Sequence, residues 1–175
     1  TSIGDDAFLV CWGLTGDLYL PDSITDIGEY AFSGCNGFDG KLTLPSGLKI
    51  IRANAFYGCS KFTGDLVIPE SVASVQSSAF SGWSNLKAVT ILGRDTDIRS
   101  SGLGSDDNGK IAGFTIRGHE GSMAQTYAYE NGFTFIALRE PTLQSGTCGD
   151  NLTWSLNTAG TLTITGTGAM WNYEW

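Results

Sequence analysis

The sequence is poor in the residues on which most enzymes and nucleic-acid-binding proteins depend. Its 175 residues include one histidine and ten lysines and arginines, against 18 aspartates and glutamates, which gives a formal net charge of −8. Because so few scattered cations suit phosphate backbones poorly, we expect no nucleic-acid partner. His119 has no recognisable catalytic or metal-binding companions, and no pair of catalytic carboxylates stands out. We therefore predict that the protein is not an enzyme and holds no cofactor or metal.

Long apolar runs are also missing. No stretch approaches the roughly 18 apolar residues of a transmembrane helix, so we predict no membrane span in this chain. The first residues, TSIGDDAF, have neither the basic start nor the apolar centre of a secretory signal. With 41% hydrophobic and 16% charged residues, the composition is nevertheless that of a folded protein.

The sequence is rich in glycine and contains a regular repeat. There are 24 glycines, about twice the average usage. Apolar residues recur every 24 positions through the first half, a period within the range of leucine-rich repeats. The aligned columns are Ile3, Ile27, Ile51 and Val75; Ala7, Ala31, Ala55 and Ala79; Phe8, Phe32, Phe56 and Phe80; and Cys11, Cys35, Cys59 and Trp83.

Each copy predicts one short strand of a solenoid. The segments 18–20, 42–44, 66–68 and 89–91 alternate apolar and variable residues, which is typical of a half-buried strand. One copy cannot bury its own apolar face, so stacked copies share a continuous core beneath a parallel strand ladder. The fourth copy is one residue shorter between its aligned leucine and its strand.

The second half predicts three further segments. Residues 93–113 are polar and glycine-rich, and we expect a long loop or a degenerate repeat. Residues 122–131 predict a helix with Ser122 as its N-cap and Gly132 just beyond its end, followed by a strand. We expect this unit to cap the open end of the solenoid. After a linker at 139–144, residues 145–175 predict a partial β-hairpin module.

The copy from Ile27 to Ile50, IGEYAFSGCNGFDGKLTLPSGLKI, resembles the repeat of the BspA-like leucine-rich repeat family. The likeness covers about residues 1–138 and implies a β-rich α/β solenoid. We expect that domain to hold four 24-residue repeats, a degenerate segment and a strand–helix–strand cap, with the β-hairpin module following it. The likeness also implies a bacterial protein that is extracellular, either secreted or on the cell surface. Some members are associated with adhesion to host matrix or to other cells.

Because the chain starts inside a repeat and stops inside the hairpin module, we expect it to be part of a longer modular protein.

Several residues could be assigned a chemical role, but each of them also has a simpler structural interpretation. The cysteine column favours small buried packing residues over disulfides or a zinc site, and we expect Cys148 to be a free thiol. Residues 106–109, DDNG, resemble part of a calcium loop but lack its later acidic ligand, and Asn-Gly equally predicts a hairpin turn. For His119 we expect a place in a turn.

The candidate binding residues are the outward positions of the predicted strands, because solenoids bind through such surfaces. They are Asp17, Lys41 and Asp65 in one column and Tyr19, Thr43, Val67 and Thr90 in the next. The simpler interpretation is a solvated face on which Asp17, Lys41 and Asp65 pair across strands, worth a few tenths of a kcal/mol each.

Two functions follow from these features. The first is a non-enzymatic module for protein–protein or cell–cell contact, with a host matrix protein or another cell surface as the partner. The alternative is a structural spacer of a larger surface protein, with no ligand of its own. No feature of the sequence predicts an oligomeric state.

Overall fold

The computed structural model of the protein describes residues 1–99, 102–106, 109–139, 142–158 and 160–171. The chain divides into two compact units, Thr1–Leu138 and Arg139–Trp175. The first is a solenoid of parallel strands and the second contains a small antiparallel sheet.

The strands of the solenoid are short, mostly two residues each. In chain order they are β1 (Ser2–Ile3), β2 (Leu18–Tyr19), β3 (Asp26–Ile27), β4 (Leu42–Thr43), β5 (Ile50–Ile51), β6 (Leu66–Ile68), β7 (Ser74–Val75), β8 (Ala88–Ile91), β9 (Asp97–Ile98), β10 (Ser105–Asp106), β11 (Gly109–Lys110), β12 (Thr115–Gly118) and, after helix α1 (Met123–Asn131), β13 (Thr134–Ala137). The second unit contains β14 (Thr142–Gly149), β15 (Leu152–Asn157) and β16 (Leu162–Gly166).

One side of the solenoid is a continuous parallel ladder in the order β1-β3-β5-β7-β9. Its register aligns Ile3, Ile27, Ile51, Val75 and Ile98, and the middle three of these side chains are fully buried. Because β9 extends this ladder, the start of segment 93–113 forms a fifth turn of the solenoid, as a degenerate repeat would, and not a long loop. Strands β10 and β11, in the same segment, pair with each other in antiparallel orientation.

The other side carries strands in two separate parallel sheets, β2-β4 and β6-β8-β12-β13. Leu18 lies opposite Leu42, a full repeat later, whereas Leu66 lies opposite Val89, one position short of a full repeat. The shorter connection in the fourth copy therefore keeps the inward residues aligned. The separation between the two sheets falls between β4 and β6.

Phenylalanine rings stack through the turns that join the two sides. Successive rings of Phe8, Phe32, Phe56 and Phe80 lie 5.0, 5.3 and 5.4 Å apart, with interplanar angles of 5° or less. The last three rings are buried, whereas Phe8 is 39% exposed because no described residue covers its outer side. The structure thus confirms the aromatic column that the 24-residue period predicts.

The strand–helix–strand unit confirms the predicted cap. The N-cap Ser122 accepts the Gln125 N–H at 3.4 Å, and Gly132 ends α1 in the left-handed region with φ of 68°. Helix α1 buries Ala124, Tyr127 and Ala128, and the Tyr127 hydroxyl donates to the Leu103 carbonyl at 2.9 Å. The helix therefore closes the core beyond the fifth turn.

The second unit is a three-stranded antiparallel sheet in the order β14-β15-β16. The β15–β16 hairpin was expected, but β14 begins at Thr142, inside the 139–144 segment that we expected to be a linker. Residues 142–149 lack the apolar alternation that marks a strand, and Gly146 among them lies against the Trp154 side chain. Residues 140 and 141 of the expected linker lie outside the described residues.

Because the rings are stacked, removing phenylalanines at equivalent repeat positions should lower the free energy of unfolding by different amounts. Phe56→Ala deletes a ring buried between two others and should lower the free energy of unfolding by about 3–5 kcal/mol. Phe8→Ala deletes a ring covered on one side and should cost about 1–2 kcal/mol. Urea unfolding of both variants measures the difference, and equal losses would contradict the stacked column.

Candidate binding face

The outward strand residues form a row across the side of the solenoid that carries two sheets. Tyr19 lies beside Thr43, and Val67 lies beside Thr90. The row continues into the cap with Arg117, opposite Thr90, and then Ile136. Tyr19 is 66% exposed, Ile136 48% and Val67 45%. Sequence reasoning missed Arg117 and Ile136 because the cap lies outside the 24-residue period.

The charged column does not pair in the way that the sequence suggested. The Asp17 carboxylate accepts the backbone N–H of Lys41 at 2.7 Å instead of pairing with its ammonium group. The Asp65 carboxylate pairs with the Arg117 guanidinium. The alternative interpretation, in which Asp17, Lys41 and Asp65 pair through their side chains across strands, does not describe these contacts, because Asp17 bonds to backbone and Asp65 to Arg117.

The same link recurs at other turns. Asp5 accepts the Glu29 N–H and Asp22 accepts the Ser46 N–H, both at 2.8 Å and both from the next copy. The Ser46 N–H and hydroxyl together lower the pKa of the Asp22 carboxyl. Carboxylates thus connect successive copies, so part of the acidity of the chain has a structural use.

Hydrogen bonding between strands is interrupted between β4 and β6. The Leu18 N–H donates to the Lys41 carbonyl at 2.9 Å, and the Leu20 N–H donates to the Thr43 carbonyl at 3.1 Å. One copy later, the N–H groups of Leu42 and Leu44 make no such bond to Asp65 or Val67, all four of which the structure describes. These two N–H groups have no backbone acceptor among the described residues.

The interruption is local, because the same two copies remain joined on both sides of it. The Thr63 N–H donates to the Gly40 carbonyl at 2.8 Å, and the rings of Phe38 and Phe62 stack 5.3 Å apart. On the opposite side, Ile27 and Ile51 pair in the continuous ladder. Strands β4 and β6 share no ladder pairing, although the copies to which they belong remain in contact on both sides.

A groove of about 390 Å³ lies over this interruption. Its lining residues are Asp22, Lys41, Leu42, Thr43, Leu44, Ser46, Asp65, Val67, Pro69 and Leu92. Four of the seven candidate residues, Lys41, Thr43, Asp65 and Val67, are therefore brought together, whereas Asp17, Tyr19 and Thr90 lie outside the groove.

The charges lining the groove are unevenly satisfied. Asp65 is paired with Arg117, and Asp22 accepts two hydrogen bonds from Ser46. The exposed Lys41 ammonium makes no ion pair or hydrogen bond with any residue in the described part of the chain. The lining therefore holds one carboxylate and one ammonium group, those of Asp22 and Lys41, that have no ion-pair partner among the described residues.

The cysteine column is part of the packing. The buried thiols of Cys35 and Cys59 donate to the carbonyls of Phe8 and Phe32 at 2.9 and 3.0 Å. In the fourth copy the Trp83 indole N–H donates to the Phe56 carbonyl at 2.7 Å, which explains how a much larger residue occupies the same place. Burial raises the pKa of the Cys59 thiol to about 12 and also raises that of Cys35.

The geometry gives no support to the catalytic and metal-binding roles considered for the other residues. The Ser122 hydroxyl is buried as the cap of α1, and His119 lies just before the turn that leads into that helix. Among the residues that the structure describes, no group of three or more histidine, cysteine or acidic side chains could hold a metal ion. Asp107 and Asn108 of the suggested calcium loop lie outside those residues.

No helix within the described ranges is long and apolar enough to cross a bilayer.

Stacked copies of one repeat, joined by parallel strands, define the first unit as a leucine-rich repeat solenoid. A sequence model of the BspA-type leucine-rich repeat region matches residues 1–132 in six copies, and the chain belongs to this family. The match extends past the four copies that the aligned columns identify. No curated protein and no solved structure matches the chain.

Amide hydrogen exchange should reveal the interruption directly. We expect the amides of Leu42 and Leu44 to exchange much faster than those of Leu18 and Leu20, their bonded counterparts one copy earlier. Residue-resolved exchange followed by NMR measures all four amides in one sample. Equal protection of the two pairs would show that β4 and β6 are bonded in solution.

The buried thiol predicts a loss of stability at alkaline pH. In the unfolded chain Cys59 ionises near its ordinary pKa of 9.0, whereas the folded protein keeps it neutral up to about 12. The free energy of unfolding should therefore fall as the pH rises between these values. Cys59→Ala should make this fall shallower than it is in the unchanged chain, as urea titrations at each pH would measure. A pH dependence identical to that of the unchanged chain would contradict the assignment.

Proposed function

We propose that this chain is a non-enzymatic protein-interaction module of a secreted or cell-surface bacterial protein. Its partner would be a host matrix protein or a protein on another cell. The family supports this proposal, since BspA-type repeats are associated with bacterial surface proteins and with interaction or repeat modules. The observation that carries it is the outward row, in which exposed apolar side chains stand on two parallel sheets of one solenoid.

The chemistry of this row suits a protein partner. Tyr19, Val67 and Ile136 offer exposed apolar area, and threonine hydroxyl groups separate them along the row. Tyrosine and arginine are enriched in the residues that dominate protein interfaces, and Arg117 lies in the same row. Strands and cap hold these side chains at fixed spacing, which reduces the ordering cost of binding.

The full 175-residue chain can be tested against an array of host extracellular matrix proteins and glycans at concentrations up to high micromolar. We expect binding to a protein on the array. The double variant Tyr19→Ala, Val67→Ala should weaken that binding about tenfold, a fall of about 1.4 kcal/mol in binding free energy.

Tyr57→Ala is the matched control, because Tyr57 is also an exposed tyrosine but lies outside the outward row. Its binding should equal that of the unchanged chain. Binding to no protein at all would contradict the proposal and leave the spacer role. If Tyr57→Ala weakened binding equally, we would conclude that the partner contacts a surface other than the strand face.

A further inference from the structure

We propose that two copies of this chain associate through the outer edge of β13 and form a symmetric dimer with antiparallel strands. The proposal goes beyond the proposed function, because it needs no foreign partner. Three features of β13 argue for it: a row of unpaired backbone groups, the absence of any residue that blocks such an edge, and side chains that match their own copies across a two-fold axis.

The backbone of β13 is bonded on one side only. This strand is the last of its sheet and pairs there with β12 alone. The Leu138 N–H, just beyond the strand, donates to the Gly118 carbonyl of β12 at 2.7 Å. The backbone groups of successive strand residues point to opposite sides. Phe135 and Ala137 therefore direct their N–H and carbonyl groups away from β12, where no strand in the described part of the chain pairs with them.

The edge has none of the features that keep strand edges from pairing with another chain. Such edges are normally protected by charged side chains, by proline or by a bulge. In β13 the sequence is TFIA, without a charge or a proline, and the register with β12 runs through four pairs without a shift. At the opposite end of the solenoid, β1 and β2 are only two residues long. The four-residue edge of β13 is therefore the one best suited to accept another strand.

The side chains of β13 fit a second copy of the same strand. An antiparallel pair with its two-fold axis at Ile136 places Phe135 of each chain opposite Ala137 of the other. Residues that face each other in this way exchange both N–H···O bonds, so the two pairs supply four backbone hydrogen bonds. A large side chain then lies beside a small one, and the two Ile136 side chains meet on the axis as an apolar cross-strand pair. Such a self-complementary contact is what a two-fold dimer requires.

Pairing would bury apolar surface that the single chain leaves exposed. Ile136 is 48% exposed, and Ala137 beside it is also exposed. The net charge of −8 on each chain opposes association in general, but β13 adds no charge at the contact. The two four-stranded sheets would become continuous, and the outward row would run from Arg117 and Ile136 of one chain into the same residues of the other.

Sedimentation equilibrium of the full 175-residue chain, at concentrations up to high micromolar, tests this dimer. We expect a reversible species of twice the mass of one chain. Ile136→Lys sets two ammonium groups opposite each other on the axis and should weaken the dimer about tenfold or more. Val67→Lys is the matched control, because Val67 is an outward strand residue of similar exposure, 45%, and the change in charge is the same. Its dimer should equal that of the unchanged chain, and the amide spectrum of each variant verifies that it is folded.

A crosslink gives a positive signal at the same position. Opposed Ile136 residues form a non-hydrogen-bonded pair with Cα atoms about 4.5 Å apart, within the range that a disulfide spans. Mild oxidation should therefore convert the Ile136→Cys chain into covalent dimers. Val67→Cys should form no more than the unchanged chain, in which the partly exposed Cys11 and Cys148 set the baseline.

Three results would overturn the proposal: a monomer at every concentration, a dimer that Ile136→Lys and Val67→Lys affect alike, or equal crosslinking of Ile136→Cys and Val67→Cys. None of them bears on the proposed function, since the matrix-protein array does not require a dimer. Conversely, a chain that dimerises through β13 but binds no protein on the array would support the dimer and contradict the proposed function.

Discussion

Backbone hydrogen bonds between successive copies hold the solenoid together. The N–H groups of Phe8, Phe32 and Phe56 donate to the carbonyls of the aligned alanines in the next copy, at 2.7, 2.8 and 2.9 Å. Such short strands cannot satisfy their peptide groups within one copy, so each copy depends on the next for its partners. That dependence fixes the 24-residue spacing, and the spacing in turn aligns the buried columns.

Polar side chains extend the same scheme from copy to copy. Carboxylates such as Asp5 and Asp17 accept N–H groups in the next copy, and the Cys59 thiol donates to a carbonyl in the preceding one. Acidic residues used in this way are structural and say little about a ligand. Lys41 is different, because its charge lies on the strand face, at the place where the backbone bonds between copies are missing.

The repeat made most of the first unit predictable, because identical columns impose identical contacts. Local signals also placed the cap, where Ser122 and Gly132 mark the two ends of one helix. The sequence contains no sign of the break between β4 and β6, because Leu42 and Leu66 occupy the same repeat column as Leu18 of the first copy. Strand β14 was missed because its pairing comes from the backbone and not from an apolar pattern. Leu92 lines the groove because the strand of the fourth copy is shifted by one residue. The spacing of the repeat alone did not mark Leu92 as part of a site.

Long-range couplings across hydrogen bonds, measured by NMR between an amide nitrogen and a carbonyl carbon, test the central claim most directly. We expect couplings from Phe32 to Ala55 and from Phe56 to Ala79, each linking one copy to the next. Couplings from these amides to carbonyls within their own copy would contradict it, because the copies would then form closed local turns and not a continuous solenoid.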